Sequence, residues 1–167
     1  DASICAHARS GQPGCSRCLD ACPADAIISI GEQVEVNPNL CQGGGICATV
    51  CPTGAMRYAY PDARDTANTV RSMLMTYTEA GGTDPVILFA SAEDASELPE
   101  TPSHVLLVAV EELASVGHEI WLSALAWGAR CVLLVDRGSV PRKAAAALSG
   151  QVETCHTLLE GIGLGHE

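Results

Sequence analysis

The sequence contains Cys15-Ser16-Arg17-Cys18-Leu19-Asp20-Ala21-Cys22-Pro23, a stretch with the spacing C-x2-C-x3-C-P. Its second half recurs downstream as Cys47-Ala48-Thr49-Val50-Cys51-Pro52. Seven of the nine cysteines in this chain of 167 residues lie before residue 52. The repeat therefore indicates two related binding motifs in the first part of the chain.

Clustered cysteines can form disulfides, bind zinc or hold iron–sulfur clusters. The odd number of cysteines and their close spacing disfavour a disulfide framework. Cys15 and Cys18 alone would suit a zinc knuckle, but a zinc site has no need of a proline after the last thiolate. Bacterial iron–sulfur runs of the form C-x2-C-x2-C-x3-C-P do end in that proline. The pattern therefore favours iron–sulfur ligation.

The residues between the two motifs predict a β-hairpin. Two short apolar stretches, 27–30 and 34–36, suit strands, and Gly31 suits the turn between them. Duplicated CxxxCP units around such a hairpin resemble the two-cluster bacterial ferredoxin domain, over about residues 4–60. The resemblance implies an α+β ferredoxin-like fold. It also implies that the last cysteine of each motif binds the cluster of the other motif.

Carried onto this chain, the resemblance assigns the ligands of a first cluster, a [4Fe-4S] centre, to Cys5, Cys15, Cys18 and Cys51. The usual first ligand of the family would fall at Gln12, which is not a thiolate. Cys5 therefore takes that role, and Ala6–Gly14 becomes an inserted loop rich in Gly and Pro. His7 is an alternative ligand.

The same resemblance assigns the second cluster to Cys22, Cys41 and Cys47. The position that should supply its fourth thiolate is Gly44. Three thiolates leave one corner of a cubane without a ligand, so the expected cofactor here is a [3Fe-4S] cluster. A [4Fe-4S] cluster with an open iron is an alternative, as are a substitute ligand and loss of the cluster.

Composition changes near residue 61, where a second domain is expected to begin. Asp62 suits a helix N-cap, and Val70, Met73, Leu74 and Tyr77 follow helical spacing until Gly81. Continuous apolar runs at 85–90, 105–110 and 131–135 predict strands buried on both faces. Such strands alternating with helices predict a small α/β domain with a parallel, flavodoxin-like sheet. The predicted domains are 1–61 and 62–167, the second of them truncated.

Two more helices complete this prediction. One carries the apolar residues Ile120, Trp121, Ala124 and Leu125 and ends at Gly128. The other begins near Pro141 and has the apolar stripe Leu148, Val152, Cys155, Leu159 and Ile162. Cys155 on this stripe and Cys131 in the last strand are therefore expected in the core. No catalytic Ser/His/Asp arrangement or zinc-protease motif is present in the sequence.

The segment 110–135 joins a strand, a turn, a helix ending in Trp-Gly-Ala and an apolar strand. This order is similar to the small iron–sulfur delta subunit of methyl-viologen-reducing hydrogenases, over about residues 85–150. The clustered cysteines of that family are absent here. The combination of both halves is also similar to ferredoxin-type proteins that accompany formate dehydrogenase in proteobacteria.

Charge and hydropathy narrow the possible functions. The formal net charge is -11, which disfavours binding to nucleic acid. No stretch approaches the ~18 apolar residues of a membrane span. Acids such as Glu93, Asp94, Glu97 and Glu100 concentrate between Arg71 and Arg130, where no basic residue occurs. The expected redox partner therefore has a basic docking face.

Together these features predict a cytoplasmic electron carrier or electron-transfer subunit, not an enzyme, that serves a dehydrogenase or hydrogenase. One alternative is an enzyme that uses an open iron at the Gly44 corner for Lewis-acid or thiolate chemistry. Another is a non-redox interaction or maturation protein that clusters merely stabilise.

Overall fold

A computed structural model describes residues 1–7 and 14–164 of the chain. The chain divides into two compact units, Asp1–Arg57 with the segment from Pro141 onward, and Tyr58–Val140. The start of the second unit lies close to the predicted boundary at residue 61. The sequence had suggested that the final segment belongs to the second domain. In the structure this segment groups with the first unit instead. Most of the expected inserted loop, including Gln12, lies outside the described residues.

The described part of the first unit contains a 3-10 turn at Ala2–Ile4, two short α-helices, two short strands and one long helix. In chain order the helices and strands are α1 (Arg17–Ala21), β1 (Ile27–Ile30), β2 (Gln33–Val36), α2 (Ile46–Thr49) and α6 (Arg142–Gly161). The strands β1 and β2 pair antiparallel, with Ile27 opposite Val36 and Ile30 opposite Gln33. Gly31 has φ +64 in the turn, a value that glycine adopts without strain. The predicted hairpin is therefore confirmed.

Each cysteine motif forms a single short helical turn. Cys18 lies inside α1 and Cys22 caps its C-terminus, whereas Cys47 lies inside α2 and Cys51 follows it. The glycine before α2, Gly45, has φ +74 and starts the helix from a left-handed conformation. The short helices thus set the spacing of the thiols in both motifs.

The long helix α6 packs against both of these short helices. Its buried face consists of Ala144, Leu148, Gln151 and Cys155. This agrees with the expected burial of Leu148 and Cys155, but Ile162 is exposed, and the polar Gln151 is buried. The helix therefore covers the cysteine motifs with a face that is less apolar than the sequence pattern suggested.

The second unit contains three parallel strands and three helices. Its elements are α3 (Ala63–Glu79), β3 (Val86–Ser91), α4 (Ala92–Ser96), β4 (Val105–Val110), α5 (His118–Ala126) and β5 (Cys131–Val135). The strand order is β4-β3-β5, and both pairs are parallel. The central strand β3 is almost completely buried, since Ile87, Phe89 and Ala90 have no exposed surface. The parallel sheet is as predicted; its flavodoxin-like classification stays a prediction.

Side-chain capping explains where two helices of this unit, α3 and α4, begin. The Asp62 carboxylate accepts from the Asp65 N–H at 2.8 Å, as expected for the N-cap of α3. The Ser91 hydroxyl accepts from the Asp94 N–H at 3.0 Å and starts α4, a helix that the sequence pattern did not predict. Among the described residues, no helix is both long and apolar enough to span a bilayer.

Candidate metal centre

Four cysteines of the first unit line a single pocket. They are Cys5, Cys15, Cys18 and Cys51. Cys15 and Cys18 belong to the first motif, and Cys51 is the last cysteine of the second motif. Because the pocket joins the two motifs, it has the crossed arrangement that the ferredoxin resemblance implies.

The N-terminal segment reaches this pocket through a network of backbone contacts. The Asp1 carboxylate accepts from the Ser3 N–H at 3.0 Å and caps a 3-10 turn, Ala2–Ile4. The backbone nitrogen of Asp1 donates to the Ala55 carbonyl at 2.8 Å, beyond the second motif. Cys5 directly follows the turn, so these bonds bring its thiol to the pocket wall.

His7 also lines this pocket, but both of its ring nitrogens have partners. Its Nδ1 donates to the Cys15 carbonyl at 2.8 Å, and its Nε2 lies 2.8 Å from the Ser29 hydroxyl. The side chain is 4% exposed, so water cannot readily replace either bond. His7 therefore supports the backbone at Cys15, and neither nitrogen can bind iron without losing a hydrogen bond.

The remaining motif cysteines form a second group, also crossed between motifs. Cys22, from the first motif, packs in a small core with Cys18 and with half-buried Cys47. Burial raises the pKa of the Cys47 thiol, and the neighbouring charges of Cys22 and Cys41 raise it further. The packing of Cys47 against the core that contains Cys22 brings these two thiols near one another. Cys41 is exposed, whereas Cys22 is buried and its sulfur accepts from the Ala26 N–H at 3.3 Å.

Gly44 lies in open space beside this group. A Cβ added at Gly44 would meet no heavy atom within 4 Å, and its backbone is outside the left-handed region. Its neighbours Gly43 and Gly45 both have φ +74, where a side chain would be strained. A side chain is thus tolerated at position 44, although the two adjacent glycines are required by the backbone.

The thiols of the first pocket differ in their tendency to ionise. Burial raises the pKa of Cys18 to about 11, with a smaller contribution from the charge of Cys51. Burial also acts on Cys51, but hydrogen bonds from Met56 and Thr53 outweigh it and lower the pKa of that thiol. The Met56 N–H lies 3.4 Å from the Cys51 sulfur. N–H groups directed at sulfur are one means by which proteins stabilise iron–sulfur centres.

A site for a single metal ion would need several of these side chains close to one point. Within residues 1–7 and 14–164, no three His, Cys, Asp or Glu side chains surround one point closely enough to hold one ion. A cluster places a separate iron at each thiolate, so its ligands need not converge on a point. The chemistry and the grouping of the donors therefore fit iron–sulfur clusters.

Two contacts at these groups were not predicted from the sequence. Lys143, on α6, donates to the Cys22 carbonyl at 3.2 Å and pairs with the Asp25 carboxylate. Gln151, on the same helix, donates to the Thr49 hydroxyl at 3.1 Å. The sequence feature that could have pointed to the Lys143 contact is that Lys143 is the single lysine of the chain. The sequence did not show where α6 packs, so the contact with Cys22 could not be predicted.

Comparison with known proteins agrees with this geometry. A family model described as a 4Fe-4S dicluster domain matches residues 13–55. An uncharacterized ferredoxin of Methanocaldococcus jannaschii is 36% identical over 58 residues, which cover 34% of this chain and 86% of that protein. Hydrogenase-4 component A of Escherichia coli is 44% identical over 39 residues, 23% of this chain. The chain spans 19% of that hydrogenase component. No solved structure matches.

These findings define an iron–sulfur protein, whose N-terminal domain is of the dicluster type. The chain belongs to the ferredoxin family, since it covers most of a ferredoxin to which it is 36% identical. A region with a parallel three-stranded sheet follows the ferredoxin-type domain along the chain. The matched family residues, 13–55, do not include that region.

Proposed function

We propose that this protein is an electron carrier or electron-transfer subunit that exchanges single electrons with a redox enzyme. The observation that carries the proposal is the crossed grouping of the thiols, Cys51 with the first motif and Cys22 with the second. Two clusters so held would supply one-electron chemistry at two centres in one small unit. In this proposal the chain's own residues bind these centres, bury Cys18 and Cys22, and donate backbone hydrogen bonds to the sulfurs of Cys22 and Cys51.

In this proposal the first site holds a [4Fe-4S] cluster on Cys5, Cys15, Cys18 and Cys51. The shared pocket supports the set, and the occupied ring nitrogens of His7 favour Cys5 over His7 as the fourth ligand. Arg17 also lines the pocket and contributes a positive charge near the proposed centre. Such a charge stabilises the additional electron of a reduced cluster.

The second site holds its cluster on Cys22, Cys41 and Cys47. The family model that matches the chain is described as a 4Fe-4S dicluster domain and gives no support for a [3Fe-4S] cluster. The proposal of a [3Fe-4S] cluster therefore rests on Gly44 alone. A [4Fe-4S] cluster with one iron open is the second candidate. The open space at Gly44 and the exposure of Cys41 favour it, because both leave that corner accessible to an external ligand.

The partner in this proposal is a hydrogenase or dehydrogenase with a basic docking face. The match to a hydrogenase component supports the hydrogenase type. Residues 58–140 carry 12 acidic and 4 basic side chains, so this unit is the more negative part of the chain. We propose that it docks or orients the electron-transfer unit, in the manner suggested by the likeness to hydrogenase delta subunits and formate-dehydrogenase ferredoxins.

Anaerobic reconstitution followed by voltammetry tests the proposal. The protein should show two reversible one-electron couples and should pass electrons to a hydrogenase or dehydrogenase. Failure of both centres to reduce reversibly would contradict it. Electron paramagnetic resonance separates the cluster types, because an oxidised [3Fe-4S] centre gives a signal near the free-electron g value. A silent oxidised protein whose spectrum changes when a thiolate ligand is added would favour the open-iron enzyme.

A further inference from the structure

The single lysine of this chain lies beside a proposed cluster ligand. Lys143 Nζ donates to the backbone carbonyl of Cys22 at 3.2 Å. It also pairs with the Asp25 carboxylate, three residues further along the chain. All three residues belong to the same compact unit. The contact therefore places a positive charge next to the second proposed cluster.

The helix that carries Lys143 is held firmly over both motifs. Leu148 and Cys155 of α6 are buried. One turn beyond Leu148, Gln151 donates to the hydroxyl of buried Thr49, which lies between the two cysteines of the second motif. These contacts hold the helix over the motifs. The Lys143 side chain is 47% exposed, and its contacts with the Cys22 carbonyl and the Asp25 carboxylate position the ammonium group.

The counter-charge of Lys143 is also defined. Asp25 has φ +48, a left-handed value that is uncommon for residues other than glycine and asparagine or aspartate. Lys143 donates a hydrogen bond to the Asp25 carboxylate, which stabilises the charged form of the lysine. A lysine ammonium group beside a carboxylate is protonated at neutral pH. The Lys143 ammonium group faces the Cys22 carbonyl on one side and the Asp25 carboxylate on the other.

A fixed positive charge near a cluster stabilises the reduced state, because reduction adds one negative charge. The Asp25 carboxylate has the opposite effect. We propose that Lys143 is a positioning residue that sets the reduction potential of the second cluster through its contact with the Cys22 carbonyl, and that Asp25 opposes it. The proposal rests on the proposed role of Cys22 as a ligand.

Voltammetry of the full reconstituted chain tests the charge of Lys143. K143Q should lower the potential of the second couple and leave the first nearly unchanged, and K143R should restore most of the shift. R142Q is the matched control: it removes an exposed charge from the same helical turn but leaves the Lys143–Cys22 contact in place. It should shift the second couple less than K143Q does. The second couple is identified as the one whose spectrum changes in G44C.

A second variant gives a result of opposite sign. D25N keeps a residue that tolerates the left-handed backbone but removes the counter-charge, so the potential of the second couple should rise. Equal shifts in K143Q and R142Q, a shift of the first couple alone, or a fall in D25N would overturn the inference. If the parent protein assembled no reducible cluster, the proposed function itself would fail, which is a separate result.

Discussion

Gly44 is one of two positions, the other being Gln12, at which this chain departs from the ligand pattern that the ferredoxin resemblance implies. A thiol at this position would complete a set of four with Cys22, Cys41 and Cys47. The backbone permits such a side chain, and no neighbouring atom lies within 4 Å of it. The absence of a cysteine there is therefore a property of the sequence and not a requirement of the fold.

We predict that G44C converts the second site to a complete [4Fe-4S] cluster, with a gain of about one iron per chain. Iron and sulfide analysis would measure the gain, and electron paramagnetic resonance would show loss of the oxidised [3Fe-4S] signal. G44A is the matched control, since it restricts the backbone equally but adds no thiol. An iron content equal in G44C and G44A would contradict the [3Fe-4S] assignment.

Cys5 and His7 provide a second prediction at the scale of single residues. C5A should remove a thiolate from the first cluster and lower its iron content. H7N should leave the iron content unchanged but lower the free energy of unfolding, because it disturbs the hydrogen bonds to the Cys15 carbonyl and the Ser29 hydroxyl. Each lost buried hydrogen bond typically costs about 1–3 kcal/mol. Full iron in C5A together with iron loss in H7N would reverse the ligand assignment.

At the scale of elements, the sequence predicted several strands and helices closely. The strands β4 and β5 have the bounds of the apolar runs. They are not buried on both faces as expected, because each lies at an edge of the sheet, and Leu133 of β5 is 44% exposed. The short helix α4 was missed, because Glu93, Asp94 and Glu97 resembled a solvated loop. Asp94 is in fact 5% exposed, and its carboxylate accepts a hydrogen bond from the Ser139 hydroxyl at 2.9 Å.

This buried carboxylate predicts a pH dependence of the second unit. Burial alone would raise the pKa of Asp94, but hydrogen bonds from Ser139 and Arg137 outweigh it, and the pKa is lowered from its ordinary value of 3.8. A lowered pKa in the folded state stabilises the protein above pH 3.8. That contribution is lost as the pH falls through the lowered pKa.

Tryptophan fluorescence can follow this effect, because Trp121 and Trp127 both belong to the second unit. Denaturation midpoints of the parent protein should fall as the pH is lowered below the ordinary carboxyl range. D94N should be less stable at neutral pH and should lose less on acidification. E93Q, which alters an exposed carboxylate next to Asp94 on α4, serves as the control. An acid response in D94N as steep as that of the parent would contradict the role of Asp94.

The helix α6 gives a further prediction at this scale. Leu148 is 7% exposed, whereas Leu158 on the same helix is 50% exposed. L148A should therefore destabilise the protein by about 2–5 kcal/mol, and L158A by less than about 0.5 kcal/mol. Because α6 belongs to the first unit, the loss in L148A should appear in the transition followed by cluster absorbance. Equal losses in the two variants would contradict the packing of α6.

On the scale of the whole molecule, negative charge is distributed unevenly between the two units. Residues 58–140 hold 12 of the 20 acidic side chains but 4 of the 9 basic ones. The proposed ligand thiolates would add further negative charge to the other unit, and the proposed redox partner is accordingly one with a basic docking face.

We predict that electron transfer to such a partner slows several-fold as salt rises from about 0.05 M to about 0.5 M. Stopped-flow reduction of a hydrogenase or dehydrogenase by the reduced protein would measure the rate. A small neutral quinone is the control oxidant, and its rate should change little. Equal salt dependence with both oxidants would argue against docking by charge.

The sequence by itself determined the cysteine motifs, the hairpin between them, the positions of the three strands of the second half and the gap at Gly44. These features are local, because the spacing of ligands and the period of apolar residues are properties of neighbouring positions. The tertiary structure decided that α6 belongs to the cysteine-rich unit and that Lys143 reaches Cys22. Those contacts join distant parts of the chain. An apolar stripe shows which face of a helix is buried but not what buries it.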